Sequence, residues 1–233
     1  MEPMLEKRNL SIALAGIDGA GKSSAAKALA SRLRDRGMTV EVTGVYGGRK
    51  NMDNLARRFG TTASRILGIR GMDFAETLVR AARMAHATRL MRRGGLLILD
   101  RSFHCQQALR RARRLPGPGL AGLLELLFPG PDAVVFFEID PQTAFARIRA
   151  RGTDVESLED LAALDAGYRQ LETFGDFITI DAAQSPDRVA DQLEQEVLRL
   201  LGSSALHPPL DLFFPVFDGQ DEVARAAYTS GHG

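Results

Sequence analysis

The chain has 233 residues, of which 45% are hydrophobic and 25% are charged, and this composition is typical of a globular protein with one main domain. A net charge of +1 gives no electrostatic reason to expect nucleic acid or a membrane as partner. The single cysteine, Cys105, excludes an internal disulfide and a cysteine-based zinc site. No apolar run approaches the roughly 18 residues that span a bilayer. We therefore expect a cytoplasmic protein.

The most informative stretch, residues 16–23, reads G-x-x-x-x-G-K-S between a predicted strand (11–15) and a predicted helix (24–36). A strand, a glycine loop and a helix in this order are the context of a P-loop. In a P-loop, the backbone N–H groups and the helix N-terminus form an anion site. Lys22 is predicted to reach the β- and γ-phosphates of ATP, and Ser23 to ligate Mg²⁺. The predicted ATP-binding residues of this stretch are Gly16, Gly19, Ala20, Gly21, Lys22, Ser23 and Ser24.

Apolar runs alternate with helical patterns along the rest of the chain, which predicts an α/β fold: a three-layer sandwich with a five-stranded parallel sheet flanked by helices. The other strands are predicted at 39–43, 96–99, 133–138 and 176–180. Further helices are predicted at 53–67, 74–93, 106–114, 120–128, 142–150, 157–172 and 186–201. The main domain is thus expected over 1–201. The extension 202–233 contains an apolar cluster, so we expect it to dock on the body or on a second subunit; a loose tail is the alternative.

Acidic and basic residues follow the predicted strand 96–99. Asp100 stands where a Walker-B carboxylate belongs and is predicted to hold Mg²⁺ or its water; a helix cap or turn is the alternative. The guanidinium of Arg101 suits a cluster of anionic oxygens, although a surface ion pair is also open. Arg83 and His86 share a helix face that could bind a phosphate acceptor, or serve structure alone.

Three arginines, Arg147, Arg149 and Arg151, precede Gly152. Phosphoryl transfer needs cations around the transferred group, and a short mobile loop could supply them on closure. A solvated helix end is the equal alternative. The chain lacks N-K-x-D and L-S-G-G-Q elements, which argues against a GTPase and an ABC-type ATPase. A small-molecule or nucleotide kinase remains.

Several motifs in order give residues 11–201 a resemblance to the thymidylate kinase family of nucleoside monophosphate kinases. Residues 16–24 resemble its G-x-D-G-x-G-K-S-T loop, and 83–86 resemble its R-x-x-H helix motif. Asp100 and Arg101 match the start of its D-R-Y motif. Residues 137–152 resemble its strand, helix and lid entrance, Tyr168 matches a tyrosine after the lid, and 180–186 resemble its adenine-contacting turn.

The resemblance implies ATP and Mg²⁺ as cofactors, nucleotides as substrates, and a homodimer paired through helices beside the sheet. It implies that Lys22 and Ser23 bind the ATP phosphates and Mg²⁺, and that Asp18 holds the acceptor sugar and helps to position the reacting phosphate. Arg101 would grip the acceptor 5′-phosphate and Arg83 would face the acceptor. Ala20 fits the family version in which a lid, here near 149–156, supplies the catalytic arginines, Arg149 and Arg151. The adenine would be bordered by Arg147, Asp181, Ala182 and Ala183.

The acceptor side departs from the family pattern. Residues 44–49 read G-V-Y-G-G-R in place of R-E-P-G-G, and Arg49 or Lys50 could replace the missing phosphate contact. Val79 stands at the position of a base-stacking phenylalanine, and Ser102 at that of a tyrosine. Leu109 and Arg110 replace a tyrosine and a glutamine that face the base. The predicted reaction is phosphorylation of dTMP by ATP; the alternatives are another nucleotide or phosphorylated metabolite as acceptor, or an inactive nucleotide-binding regulator.

Overall fold

A parallel five-stranded sheet forms the centre of the protein, in the order β2-β3-β1-β4-β5. The computed structural model describes residues 10–58, 60–152 and 156–202. The strands are β1 (Leu10–Ala15), β2 (Val40–Gly44), β3 (Leu96–Asp100), β4 (Ala133–Glu138) and β5 (Ile178–Asp181). The α/β prediction is confirmed: β1 and β3 are buried along their whole length, as strands covered on both faces must be.

Helices cover the sheet. They are α1 (Lys22–Asp35), α2 (Arg49–Arg57), α3 (Ala63–Met91), α4 (Phe103–Ala112), α5 (Gly119–Leu127), α6 (Pro141–Arg151), α7 (Leu158–Arg169) and α8 (Pro186–Gly202). A 3₁₀ turn, Glu172–Asp176, precedes β5. Helix α1 packs against α8, and α4 packs against α7. No helix among the described residues is long and apolar enough to cross a membrane.

The register of the sheet brings the functional loops together. Asp100, the last residue of β3, pairs with Leu14 of β1 on one side and with Gly44 of β2 on the other. The segments that follow β1, β2 and β3 therefore leave the sheet side by side at its carboxyl edge. In open α/β sheets, this edge is where ligands bind.

Two glycines let the loop after β1 pass close to neighbouring backbone. Gly16 has φ 129°, and a Cβ there would lie 2.8 Å from the Phe137 carbonyl oxygen. Gly19 has φ 87°, and a Cβ there would lie 2.5 Å from the Ala144 carbonyl oxygen. Any side chain at either position would collide with backbone, so the loop is held tightly against β4 and α6.

The single helix predicted at 53–67 is wrong. Helix α2 ends at Arg57, and α3 begins at Ala63 with Thr62 as its N-cap, whose side-chain oxygen accepts a hydrogen bond from the Arg65 amide. A second break follows at Gly68, whose φ of 64° and ψ of 179° are not helical. The cap at Thr62 thus begins a new helix inside the predicted one, and the backbone of Gly68 interrupts that helix in turn.

The other element boundaries moved by a few residues. Helix α7 ends at Arg169 and β5 starts at Ile178. A 3₁₀ turn, Glu172–Asp176, includes the last residue of the predicted helix and the first residue of the predicted strand. Asp140 caps α6, accepting hydrogen bonds from the amides of Gln142 and Thr143. Residues 153–155 of the predicted lid and 203–233 of the predicted extension lie outside the described residues.

Candidate active site

Lys22 is buried and contacts the backbone of the loop after β1. Its side chain is only 5% exposed, and its Nζ donates a 2.6 Å hydrogen bond to the Ile17 carbonyl oxygen. Nζ also lies 3.9 Å from the Asp18 carboxylate. Burial, together with the charge of Arg101, lowers the pKa of this ammonium, while Asp18 and Asp100 oppose the shift. A cation inside a glycine loop at a helix start makes a site for phosphate oxygens.

Asp100 presents one free carboxylate oxygen beside this loop. Its Oδ2 accepts hydrogen bonds from the Ser23 hydroxyl at 2.5 Å and from the Tyr46 hydroxyl at 2.6 Å. Its Oδ1 is buried and has no hydrogen-bond partner among the described residues. A buried, unpartnered carboxylate oxygen next to a serine hydroxyl fits Mg²⁺, which binds through one or two carboxylates plus substrate phosphates.

Arg101 faces the same space from the strand end. Its Nη2 pairs with Asp18 Oδ1, and its Nη1 lies 3.2 Å from the Cys105 sulfur. The backbone of Arg101 has φ 80°, a left-handed conformation that a non-glycine residue rarely adopts, and its amide donates to the Leu14 carbonyl oxygen at 3.2 Å. Such strain, about 1–3 kcal/mol, is typical of functional positions where the surroundings fix one side-chain direction.

A single cavity of about 740 Å³ joins these groups. The predicted site residues that line it are Asp18, Gly19, Gly21, Lys22, Ser23, Ser24, Arg49, Arg83, Asp100, Arg101 and Arg151. Opposite the loop after β1, the wall is formed by the segment from Gly44 to Arg49, hereafter the β2–α2 connection, and by one face of α3. The volume falls in the range of small-molecule sites.

The α3 wall consists of charged side chains that bind the β2–α2 connection. Arg83 donates to the Gly44 carbonyl oxygen at 3.1 Å, and Arg80 donates to the Val45 carbonyl oxygen. Glu76, 2% exposed, accepts a 3.0 Å hydrogen bond from Arg49 Nε. Burial raises the pKa of Glu76, and the neighbouring arginines oppose that shift. His86 and Val79 are not among the described residues that line the cavity, and the side chain of Lys50 lies outside the described part.

The three arginines of α6 separate. Arg151 lines the cavity. Arg149 is not among the described residues that line it, and its guanidinium lies 5.8 Å from the centre of the Phe145 ring. Both belong to α6, which extends one residue beyond the predicted helix end to Arg151, and residues two apart on a helix point to different sides. Arg147 donates to the carbonyl oxygens of Ala182 at 2.8 Å and Ala183 at 3.0 Å.

The turn Asp181–Ala183 after β5 is fixed by hydrogen bonds from Arg147 and within the turn itself. Asp181 accepts a 2.9 Å hydrogen bond from the Ala183 amide, and Ala182 is fully buried. Arg147 thus fixes the turn through its carbonyl oxygens. The arrangement brings Arg147, Asp181, Ala182 and Ala183 together.

The residues at the divergent base positions are placed as follows. Val79 lies against the β2–α2 connection: a Cβ on Gly48 would be 3.1 Å from its Cγ1. Arg110 is buried in an ion pair with Asp73 and is not among the described residues that line the cavity. Ser102 is buried, with its hydroxyl 3.0 Å from His104 Nδ1. Leu109 does line the cavity.

Sequence reasoning missed two groups. It gave no role to Tyr46, the aromatic residue that lines the cavity within the described part of the chain. It also missed Glu76 and Arg80. Steps of four residues from Glu76 to Arg80 and of three from Arg80 to Arg83 place all three on one helix face. The sequence shows that spacing, but it does not show that their partners lie in the β2–α2 connection.

The fold, the glycine loop around Lys22 and the cavity together define a P-loop protein with a site for phosphate oxygens. The family model for thymidylate kinase matches residues 14–193. The chain belongs to the thymidylate kinase family and is therefore a nucleoside monophosphate kinase.

Relatives named as thymidylate kinases cover most of the chain. The thymidylate kinase of Xanthomonas oryzae pv. oryzae (strain PXO99A) is 31% identical over 208 residues, which is 84% of this chain and 86% of the relative. That of Xanthomonas campestris pv. campestris (strain B100) is 30% identical over 201 residues, 82% of this chain and 84% of the relative. A probable thymidylate kinase of Archaeoglobus fulgidus is 24% identical, over 82% of this chain and 94% of the relative.

Proposed function

We propose that the protein catalyses the Mg²⁺-dependent transfer of the γ-phosphoryl group of ATP to dTMP, giving ADP and dTDP. The observation that carries this proposal is one cavity that is lined by Lys22, by the Ser23–Asp100 pair and by Arg101. A donor triphosphate at Lys22 and Ser23 would lie beside an acceptor phosphate at Arg101. Such transfer depends mainly on positioning and charge neutralisation.

The donor side would work through exchange of partners. Lys22, now on the Ile17 carbonyl oxygen, would turn to the β- and γ-phosphates, while the amides of Gly16, Gly19, Ala20, Gly21 and Ser24 surround them. Ser23 and Asp100 would hold Mg²⁺, which would neutralise charge on the β- and γ-phosphates. Arg147 and the turn Asp181–Ala183 would border the adenine.

The acceptor side would work in the same manner. Arg101, paired with Asp18, would bind the acceptor 5′-phosphate in a bidentate manner, leaving Asp18 to hold the sugar hydroxyl. Arg83 and Arg49, which line the cavity on the side of α3, would contact the acceptor. Arg151 would stabilise charge on the transferred group; an equal role for Arg149 requires a different orientation of its side chain.

A second candidate differs in the acceptor alone. The position of the family's stacking phenylalanine is Val79, outside the cavity lining, and the neighbouring base position is Leu109. A base without a stacked ring loses about 0.5–1.5 kcal/mol beyond burial. Another nucleoside monophosphate or phosphorylated metabolite as acceptor is therefore the alternative.

The test is an ADP-release assay over dTMP, dUMP, UMP, CMP, AMP and GMP with Mg²⁺ and ATP. We expect dTMP to give the highest kcat/KM and Lys22→Ala to abolish turnover. Lys27→Ala removes an exposed lysine of the same helix and should leave turnover unchanged. ATP binding without turnover on any acceptor would support an inactive regulator instead.

We further propose that the protein is a homodimer in the cytoplasm. Several large apolar side chains of α3 and α5, which pack against each other, are exposed to solvent. They are Ile66, Leu67, Ile69, Phe74, Leu78, Leu123, Leu126 and Leu127. Exposed apolar side chains of this size are costly in water, and a dimer interface would remove them from it.

A further inference from the structure

Tyr46 joins the β2–α2 connection to Asp100. Its hydroxyl donates a 2.6 Å hydrogen bond to Asp100 Oδ2. One residue earlier, the Val45 amide donates a 2.9 Å hydrogen bond to the carbonyl oxygen of Asp100. Backbone and side chain of the connection therefore both hold the same residue.

The connection is in turn held by α3. Glu76, Arg80 and Arg83, on one helix face, bind Arg49, the Val45 carbonyl oxygen and the Gly44 carbonyl oxygen respectively. The Arg83 guanidinium also lies 5.7 Å from the centre of the Tyr46 ring. A continuous set of contacts thus runs from the α3 wall of the cavity through Tyr46 to Asp100.

The Tyr46 hydroxyl selects which oxygen of Asp100 stays free. Ser23 and Tyr46 both donate to Oδ2, so Oδ1 is left without a partner. A carboxylate held at one oxygen by two hydroxyls cannot turn without breaking both hydrogen bonds. A phenol has an ordinary pKa of about 10 and is therefore a hydrogen-bond donor at neutral pH.

We propose that Tyr46 is a positioning residue whose hydroxyl fixes the Asp100 carboxylate for metal binding. Through Tyr46, the α3 wall and the β2–α2 connection are thereby linked to the metal site. This inference rests on the Mg²⁺ part of the proposed function. Partners that orient a metal ligand from outside the coordination shell typically contribute tenfold or more to metal affinity. The role is specific to the hydroxyl, because it is the hydroxyl that binds Asp100.

The experiment measures Mn²⁺ binding to the ADP complex by electron paramagnetic resonance, which detects free Mn²⁺ without any acceptor or turnover. Tyr46→Phe keeps the ring and should weaken Mn²⁺ binding about tenfold, with ADP affinity in the absence of metal unchanged. Tyr46→Leu should weaken it to a similar extent. Thr88→Val, the matched control, removes a hydroxyl that donates to the Met84 carbonyl oxygen within α3, and should change nothing.

The outcomes separate the two proposals. If the wild-type ADP complex takes up no Mn²⁺, the metal part of the proposed function fails and this inference fails with it. If the wild type binds Mn²⁺ and Tyr46→Phe binds it equally or more tightly, the inference alone is overturned. A loss with Tyr46→Leu but not with Tyr46→Phe also overturns it, since the ring and not the hydroxyl would then matter.

Discussion

The buried ion pair between Asp73 and Arg110 connects α3 to α4, and its contribution to the free energy of unfolding can be tested directly. Asp73 is 6% exposed and Arg110 is 7% exposed. Asp73 Oδ1 also accepts a 2.9 Å hydrogen bond from Gln106, and Arg110 Nη2 donates to the carbonyl oxygens of Pro116 at 2.9 Å and Gly117 at 3.2 Å. The pair thus links α3, α4 and the loop that precedes α5.

Asp73→Asn keeps the shape of the side chain and removes its charge. Arg110 would then remain buried with backbone carbonyl oxygens as its main acceptors, and breaking a buried pair in this way costs about 3–5 kcal/mol. A domain of this size loses about 2–4 °C in Tm per kcal/mol, so the expected decrease in Tm is about 6–20 °C. Urea unfolding followed by far-UV circular dichroism measures the free energy of unfolding, and calorimetry measures Tm.

Two further variants control this prediction. Glu196→Gln breaks the ion pair with Arg199 on the surface of α8, where both partners are accessible to water, and should cost no more than about 1 kcal/mol. Replacing both buried partners, Asp73→Leu with Arg110→Met, should recover most of the stability because no lone charge is left buried. A loss below about 1 kcal/mol for Asp73→Asn would refute the reasoning, since the pair would then behave as an exposed one.

The remaining predictions concern the lid arginines and the dimer. Arg151→Ala should lower kcat about 100-fold or more with little change in ATP affinity, as expected for a group that acts in the transition state. Arg149→Ala, whose side chain lies over Phe145, should change kcat by less than about fivefold at saturating ATP, and equal losses from both variants would contradict the placement of α6. Light scattering should give a dimer for the wild type and a monomer for Leu126→Glu, an 84% exposed position; a wild-type monomer at micromolar concentration would rule out the proposed interface.

The fold could be predicted from the sequence because each signal was local. Continuous apolar runs mark β1 and β3 as strands buried on both faces, and their order between helices implies a parallel sheet. The loop between β1 and α1 carries its glycine pattern within eight residues of sequence. Asp100 was readable in the same way, as the polar residue that ends an apolar strand.

Long-range pairing limited the prediction of the site. Arg110 meets Asp73 from 37 residues away, and nothing in either local segment identifies the partner. Tyr46 and Asp100 are 54 residues apart and meet only because β2 and β3 end side by side. The separation of Arg149 from Arg151 could have been read, had the helix been extended to Gly152, which ends it with φ 67°.

The central claim is that the γ-phosphoryl group of ATP passes to dTMP in this cavity. The most direct measurement incubates the protein with Mg²⁺, ATP radiolabelled at the γ-phosphate, and equal concentrations of dTMP, dUMP, UMP, CMP, AMP and GMP, and then separates the nucleotides by anion-exchange chromatography. The account predicts that most of the transferred label appears in dTDP, and that none is transferred by Lys22→Ala. Label found mainly in another diphosphate, or only in inorganic phosphate, would contradict the claim.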